Sequence, residues 1–202
     1  MKSLLLKDFY VITKQLKIFL IIIPVIALTT GEAMSTFSIL LGAVLPMTAI
    51  AYDERSEWNE LAAMMPYSKF DLIFSKYLLG YLCMFGAALL VFIGQIIGKN
   101  NGIVAIDDDI KVLLFAVMGG LIFIAINTPI LFKFGSEKGR FVFIITMALV
   151  GASGPILQKV DSRIILKIFN LSPVILLAFV VILNVMSLMI SMNIKKDKAY
   201  FL

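Results

Sequence analysis

Two long apolar blocks of the chain are separated by residues 53–69, Asp53-Glu54-Arg55-Ser56-Glu57-Trp58-Asn59-Glu60-Leu61-Ala62-Ala63-Met64-Met65-Pro66-Tyr67-Ser68-Lys69. Four of the 13 acidic residues fall within eight positions of this stretch. The spacing predicts a short amphipathic helix that ends at Pro66. Its apolar face carries side chains at i, i+3, i+4 and i+7: Trp58, Leu61, Ala62 and Met65. Such a helix is either presented to a partner or is a surface helix in a solvated loop.

The composition of the chain is that of a membrane protein. Hydrophobic residues make up 61% of the 202 residues and charged residues 15%, against about 25% charged residues in an ordinary soluble domain. A soluble chain of this length could not bury so much apolar surface. Histidine is absent and Cys83 is the single cysteine, so neither a zinc site nor a disulfide framework is expected.

The apolar blocks predict an all-α membrane protein with six transmembrane helices. A helix needs about 20 mostly apolar residues to cross the hydrocarbon core. Residues 18–52 contain a single charge, Glu32, and we expect them to form spans 1 and 2 as a hairpin that turns near residues 29–32. The four later spans are expected at residues 71–98, 111–132, 141–157 and 171–193.

The distribution of positive charge predicts the orientation. With six spans, 13 of the 18 lysines and arginines lie on the side that holds both termini. Such an excess marks the cytoplasmic side. We therefore expect a multi-pass protein of the cytoplasmic membrane, with both termini, residues 53–70 and the loop between spans 4 and 5 in the cytoplasm.

Two further segments are predicted to lie in the membrane interface. Residues 1–17 form a basic amphipathic helix with Leu5, Phe9 and Ile12 on one face, unless they are only a positively charged flank of span 1. Residues 158–170 mix basic and apolar residues and are expected to form a short helix on the outer face.

The chain carries no motif for catalysis or nucleotide binding. It lacks the phosphate-binding pattern G-x-x-x-x-G-K-[ST], the G-x-S-x-G nucleophile elbow and the H-E-x-x-H zinc motif. We expect no enzyme activity, no cofactor or metal bound by this chain, and no nucleic acid as a partner.

Five neutral polar residues in the predicted spans are candidates for lining a transport pathway: Gln95, Asn127, Asn184, Ser187 and Ser191. The last three share one helical face, since they are spaced i, i+3 and i+7. Equally, such residues join helices by hydrogen bonds, and we favour that interpretation. Apart from Glu32 the spans lack a charge at mid-depth, which argues against an ion-coupled carrier.

Residues 53–80 resemble the small ABC-2 type permeases of Gram-positive bacteria. The similarity lies in Asp53-Glu54, Trp58, the run Pro66-Tyr67-Ser68-Lys69 and the run Lys76-Tyr77-Leu78. The opening residues 1–10 are also similar to the usual start of that family. Lys69 stands where arginine is commoner, which keeps the charge but loses the bidentate fork.

The resemblance implies a permease subunit of an ATP-driven exporter, with a single ABC-2 transmembrane domain over residues 1–202. It implies an elbow helix at 1–17 and a cytoplasmic coupling helix within 53–70. Two permeases, identical or closely paralogous, would work in the lipid bilayer with ABC ATPase subunits that bind ATP and magnesium. Related permeases export amphipathic peptides, including phenol-soluble modulins. The residues expected to contact the ATPase are Asp53, Glu54, Glu57, Trp58, Glu60, Leu61, Met65 and Pro66.

Two other functions remain open at this point. A substrate-binding subunit of an energy-coupling vitamin uptake transporter has a similar length, but it typically couples through an A-x-x-x-A pattern that Ala27 does not complete. The other is a membrane anchor or sensor that transports nothing. A neighbouring ATPase gene would argue against the anchor, and self-association of the chain would argue against the uptake subunit.

Overall fold

The computed structural model describes residues 2–15, 17–27, 32–100, 109–159 and 173–197. In these ranges the chain is helical except at the connections 56–57 and 64–68 and at Gly135, and no strand occurs in them, so the all-α prediction is confirmed there. The expected outer interfacial segment, 158–170, lies almost entirely outside the described residues. The helices are α1 (Lys2–Gln15), α2 (Lys17–Ala27), α3 (Glu32–Arg55), α4 (Trp58–Ala63), α5 (Lys69–Asn100), α6 (Asp109–Lys159) and α7 (Pro173–Asp197).

Four of these helices are long and apolar enough to cross a membrane. The candidate spans are Phe37–Arg55 in α3, Lys69–Ile97 in α5, Leu113–Thr146 in α6 and Ile175–Ile194 in α7. The described residues therefore form a helical membrane protein with four candidate spans, where the sequence predicted six. The difference arises in the first apolar block and in α6.

The first apolar block is divided unevenly between α2 and α3. α3 has 24 residues and α2 has 11, so α2 is about 16 Å long, roughly half of the hydrocarbon core. The hydroxyl of Ser38 donates a hydrogen bond of 3.1 Å to the carbonyl of Ile23, which places the two helices side by side. Of the residues expected to form the turn, 29–31 lie outside the described residues and Glu32 begins α3.

α6 consists of two arms that fold back on each other at Gly135. The backbone of Gly135 has φ 80° and ψ 176°, which is not helical. Across this point the rings of Phe123 and Phe143 meet edge to face at 6.0 Å, and Thr146 Oγ1 lies 3.3 Å from Asn127 Oδ1. In each pair the two residues lie at similar distances along the sequence before and after Gly135, so the arms run antiparallel.

The two arms correspond to the predicted spans 111–132 and 141–157. The connection between them is much tighter than the expected loop, because the helical backbone continues to within one residue of Gly135 on both sides. The single candidate span in α6 therefore includes the reversal of the chain.

The core lies where α3, α5 and α6 meet. Ile39, Tyr77, Met84 and Ile124 are completely buried there. A β-carbon on Gly120 would lie 2.6 Å from Met84 Sδ, so a glycine permits this close approach of α6 to α5. The central position of α3 is evident from its candidate span, of which 67% is buried, against 22% for α7.

The outward faces of α5 and α7 are apolar. The exposed side chains include Leu82, Phe85, Leu89 and Phe92 of α5 and Val181, Ile182, Val185 and Met189 of α7. Exposed apolar surface of this extent is typical of contact with lipid or with another subunit.

α1 packs against the bundle through a face that differs from the predicted one. Leu4, Asp8 and Ile12, spaced i, i+4 and i+8, are buried, whereas Phe9 and Tyr10 are exposed. Of the predicted apolar face, Ile12 is thus buried against the bundle while Phe9 is exposed at its edge. The buried face is centred on Asp8, whose carboxylate contacts a lysine of α5.

Candidate functional site

A cluster of charged side chains and the exposed helix α4 lie together at one end of the helical bundle. We call this end the α4 end. α4 is set apart from α3 by Glu57, whose backbone is left-handed with φ 52° and ψ 26°. For a residue with a side chain this conformation costs on the order of 1 kcal/mol. The chain thus leaves α3 abruptly, and the predicted short helix follows as Trp58–Ala63, ending three residues before Pro66.

A buried cluster of four charges joins three helices at the α4 end. Lys76 Nζ of α5 lies 2.6 Å from Asp8 Oδ1 of α1 and 2.5 Å from Asp53 Oδ2 of α3. Lys7 Nζ lies 2.6 Å from Asp53 Oδ1 and 3.0 Å from Asp8 Oδ1. We call these four residues the ion cluster. Its formal charges cancel, and each charge has two neighbours of opposite sign.

The ion cluster is shielded from solvent. The side chains of Asp8, Asp53 and Lys76 are 2%, 7% and 7% exposed, and that of Lys7 is 23% exposed. Removal of one member of such a group leaves an uncompensated buried charge, which typically destabilises a protein by about 3–5 kcal/mol. The cluster therefore fixes α1, the end of α3 and the start of α5 relative to one another.

Trp58 connects α4 to the ion cluster. Lys7 Nζ lies 4.3 Å from the centroid of the Trp58 ring, within the range of a cation–π interaction. The tryptophan is half-buried, so it is held against the protein and does not project freely. Lys7 thereby contacts both the cluster and α4.

The exposed apolar surface of this connection consists of Leu61, Met64 and Met65, which are 50%, 83% and 40% exposed. Ala62 is buried, so the predicted common face of Trp58, Leu61, Ala62 and Met65 is divided between the protein and solvent. Three further residues of the predicted contact set are also exposed: Glu57, Glu60 and Pro66.

Glu54 contacts the turn of α6 across the α4 end. The backbone N–H of Ser136 donates to Glu54 Oε2 at 2.5 Å. A β-carbon on Gly135 would lie 2.5 Å from Glu54 Oε1, and the φ of 80° at Gly135 is also unfavourable for other residues. Because Ser136 begins the second arm of α6, the carboxylate caps the positive end of that arm.

Two of the eight residues expected to contact an ATPase are thus engaged within this chain. Asp53 belongs to the ion cluster and Glu54 holds the α6 turn. The other six lie on or beside α4, with Trp58 turned toward Lys7.

A second polar group lies within the bundle, between α5, α6 and α7. The hydroxyl of Tyr77 is 2.6 Å from Ser187 Oγ and 2.9 Å from Ser191 Oγ. Ser187 Oγ donates to the carbonyl of Ala125 at 2.6 Å. Since each hydroxyl has one hydrogen, Tyr77 must donate to Ser187, and Ser191 then donates to Tyr77.

The asparagines proposed for a pathway also make contacts within the protein. Tyr81 donates to Asn184 Oδ1 at 2.9 Å, and Asn184 donates to the carbonyl of its own helix at Val180. Asn127 donates to the carbonyl of Phe123 in its own helix, and its Oδ1 lies 3.3 Å from Thr146 Oγ1 of the other arm. Four of the five proposed pathway residues are therefore buried at helix contacts, and Gln95 is half-buried in α5.

Sequence reasoning missed Lys7, Asp8 and Lys76 as members of the site: it placed the first two within the predicted helix 1–17, and Lys76 within span 71–98 and the run that resembles the permease family. One signal was present, because Asp8 is the single acidic residue among the first 31 and lies within a basic, apolar segment. Its partner Lys76 is 68 residues away, and that pairing has no signature in the local sequence.

The fold and the site define a multi-helix membrane protein that exposes a short helix, fixed by a buried ion cluster, at one end. A family model described as "ABC-2 family transporter protein" matches residues 3–196. The chain belongs to this ABC-2 transporter family, which makes it a membrane-spanning permease subunit of an ABC transporter, with an ABC ATPase as the implied partner. Neither the curated proteins nor the solved structures give a match.

Proposed function

We propose that the chain is the permease of an exporter that moves amphipathic peptides or hydrophobic compounds, working as a dimer with ATPase subunits that bind ATP and magnesium. The observation that carries the proposal is the exposed apolar surface of α4, flanked by acidic residues and supported by the ion cluster.

We propose six membrane crossings: α2, α3, α5, the two arms of α6, and α7. The antiparallel arms support counting α6 twice. The 11 described residues of α2 account for about half of its crossing. Both termini, α4 and the Gly135 turn then lie in the cytoplasm, in agreement with the excess of positive charge on that side.

α1 would serve as the elbow helix in the inner membrane interface. It exposes Phe9 and Tyr10 away from the buried face that holds Asp8, and Lys14 Nζ lies 5.5 Å from the Tyr10 ring. Aromatic rings with an adjacent lysine suit the boundary between headgroups and acyl chains.

α4 would be the coupling helix. Leu61, Met64 and Met65 would enter an apolar groove on the ATPase, because exposed apolar anchors contribute most of the energy of an interface. Glu57 and Glu60 would meet basic residues at the rim of that groove, where charges mainly tune association rate and specificity. Trp58 supports the helix from behind through Lys7.

The cargo is inferred from the surfaces of the helical bundle that are not used in contacts between helices. The buried polar side chains are used in helix contacts, so the surfaces open to a cargo are mainly apolar. The chain also contains 11 methionines, whose flexible side chains adapt to varied apolar ligands. An amphipathic peptide that enters from the cytoplasm or the inner leaflet fits these surfaces.

The experiment is transport in proteoliposomes that contain the permease and its ATPase, with a panel of labelled amphipathic peptides and a set of lipophilic dyes. ATP-dependent movement of a peptide away from the ATPase side supports the proposal. An active ATPase complex that moves only the dyes would remove the peptide cargo, and movement toward the ATPase side would remove export.

A further inference from the structure

We propose that Glu54 is a positioning residue that locks the turn of α6 to the end of α3, so that a displacement of α4 is carried to both arms of α6. The inference rests on the proposed function, because it takes α4 as the element that the ATPase displaces. It gives Glu54 a role within the permease, where sequence analysis expected a contact with the ATPase.

The lock consists of two contacts made by one carboxylate. Oε2 accepts the N–H of Ser136, and Oε1 occupies the space beside Gly135 that a β-carbon would fill. The partners are 82 residues apart, so this contact joins the last turn of α3 directly to the reversal of α6. No larger residue fits at Gly135 without displacing the carboxylate.

Because Glu54 and Asp53 are adjacent, the end of α3 contacts three other helices; we call it the junction. Successive residues of a helix point about 100° apart, so the two carboxylates reach different neighbours. Asp53 is bound to Lys7 and Lys76 in the ion cluster, whereas Glu54 is bound to the α6 turn. α1, α5 and α6 are thereby held by two adjacent residues.

α4 follows this junction after three residues, through the left-handed Glu57. A short connection with a constrained backbone transmits movement better than a long flexible loop. A force on the exposed face of α4 would therefore reach α6 through Glu54, provided that its carboxylate stays bound to Ser136. The second arm of α6 would receive the movement at its first residue.

The role of the negative charge makes specific variants informative. Glu54→Gln keeps one oxygen that can accept the Ser136 N–H but loses the attraction to the positive end of the arm. Glu54→Ala removes the acceptor. Glu60→Ala is the matched control, since Glu60 is an exposed acid on α4 itself.

The first measurement uses the full-length permease without ATPase. Spin labels are placed at Met64→Cys and Lys138→Cys, both exposed positions, in a Cys83→Ser background, and the distance between them is measured by pulsed electron paramagnetic resonance. We expect one narrow distribution in the parent and in Glu60→Ala, a slightly broader one in Glu54→Gln, and a broad or shifted one in Glu54→Ala. An unchanged narrow distribution in Glu54→Ala would overturn the inference.

The second measurement uses the complex without labels. In Glu54→Ala we expect ATPase co-purification to be unchanged while cargo moved per ATP falls about tenfold, the loss expected from one charge-assisted hydrogen bond, with partial recovery in Glu54→Gln. Loss of co-purification in Glu54→Ala, with unchanged spin-label distances, would place Glu54 at the ATPase interface and overturn the inference while supporting the docking of α4. If charged substitutions at Leu61 and Met64 left ATPase binding unchanged, that result would instead contradict the proposed function.

Discussion

Lys76 and Asp53 are in direct ionic contact, with Nζ 2.5 Å from Oδ2 and both side chains 7% exposed. The contact joins the last turn of α3 to the first turns of α5, on either side of the connection that contains α4. Asp8 and Lys7 close the cluster from α1. The segments before and after the proposed coupling helix are therefore joined to each other by a buried ion cluster.

Loss of one lysine from the ion cluster should destabilise the permease. Lys76→Met leaves two buried aspartates with Lys7 alone, and we expect a loss of about 3–5 kcal/mol in the free energy of unfolding, measured as thermal unfolding in detergent. Lys69→Met is the control, because Lys69 is exposed at the start of the same helix and should change stability by about 0.5 kcal/mol or less. The double variant Asp8→Asn/Lys76→Met should lose less than Lys76→Met, and equal stability of Lys76→Met and the parent would contradict the structure of the cluster.

Replacement of Trp58 should separate the effect of an aromatic ring from that of apolar bulk. Trp58→Phe retains a ring beneath Lys7, whereas Trp58→Leu does not, and the cation–π contact is worth about 1 kcal/mol. We expect Trp58→Leu to lower transport-coupled ATP hydrolysis more than Trp58→Phe does. Equal activities of the two variants would show that Lys7 does not act through the ring.

Two glycines of α6 should respond oppositely to alanine. Gly135→Ala forces a side chain into a positive φ and against Glu54, and we expect it to cost more than about 1 kcal/mol of stability. A β-carbon on Gly119 meets no atom within 4 Å, so Gly119→Ala should be neutral or should stabilise the helix by up to about 1 kcal/mol. Thermal unfolding of both variants measures the two effects. A Gly135→Ala variant as stable as the parent would contradict the geometry of the turn.

Removal of the Tyr77 hydroxyl should distinguish helix packing from a transport pathway. Tyr77→Phe breaks the chain of hydroxyls that joins Ser191, Ser187 and Ala125. If these groups only join helices, stability should fall by about 1 kcal/mol while cargo specificity is unchanged. A changed order of preference among the peptides of the panel would assign the group to the pathway instead.

The later helices could be predicted from hydropathy because their boundaries are set locally. The predicted span 71–98 differs from α5 by two residues at each end, and the predicted span 171–193 overlaps α7 from Pro173 to residue 193, since charges and turn residues end each apolar run. The division of residues 18–52 could not be predicted in this way. Their near-uniform apolar composition does not reveal that α3 takes most of the block and leaves α2 short.

The site was less predictable because its contacts are long-range. Asp53 and Glu54 have the same local context as Glu57 and Glu60, and composition gives no means of telling which of these acids contact distant parts of the chain. Their roles depend on Lys76 and Ser136, which reach them only through the packing of α5 and α6. The same is true of Asp8, whose partner Lys76 lies on α5.

The central claim is that the exposed face of α4 binds the ABC ATPase, and the affinity of the purified permease for that subunit tests it most directly. Leu61→Asp/Met64→Asp places two charges on this face, while Leu61→Met/Met64→Leu keeps it apolar. We predict that the aspartate variant binds the ATPase at least about 30-fold more weakly, the equivalent of one interface hot spot of about 2 kcal/mol, and that the apolar variant binds like the parent. Unchanged affinity of a folded aspartate variant would contradict the account.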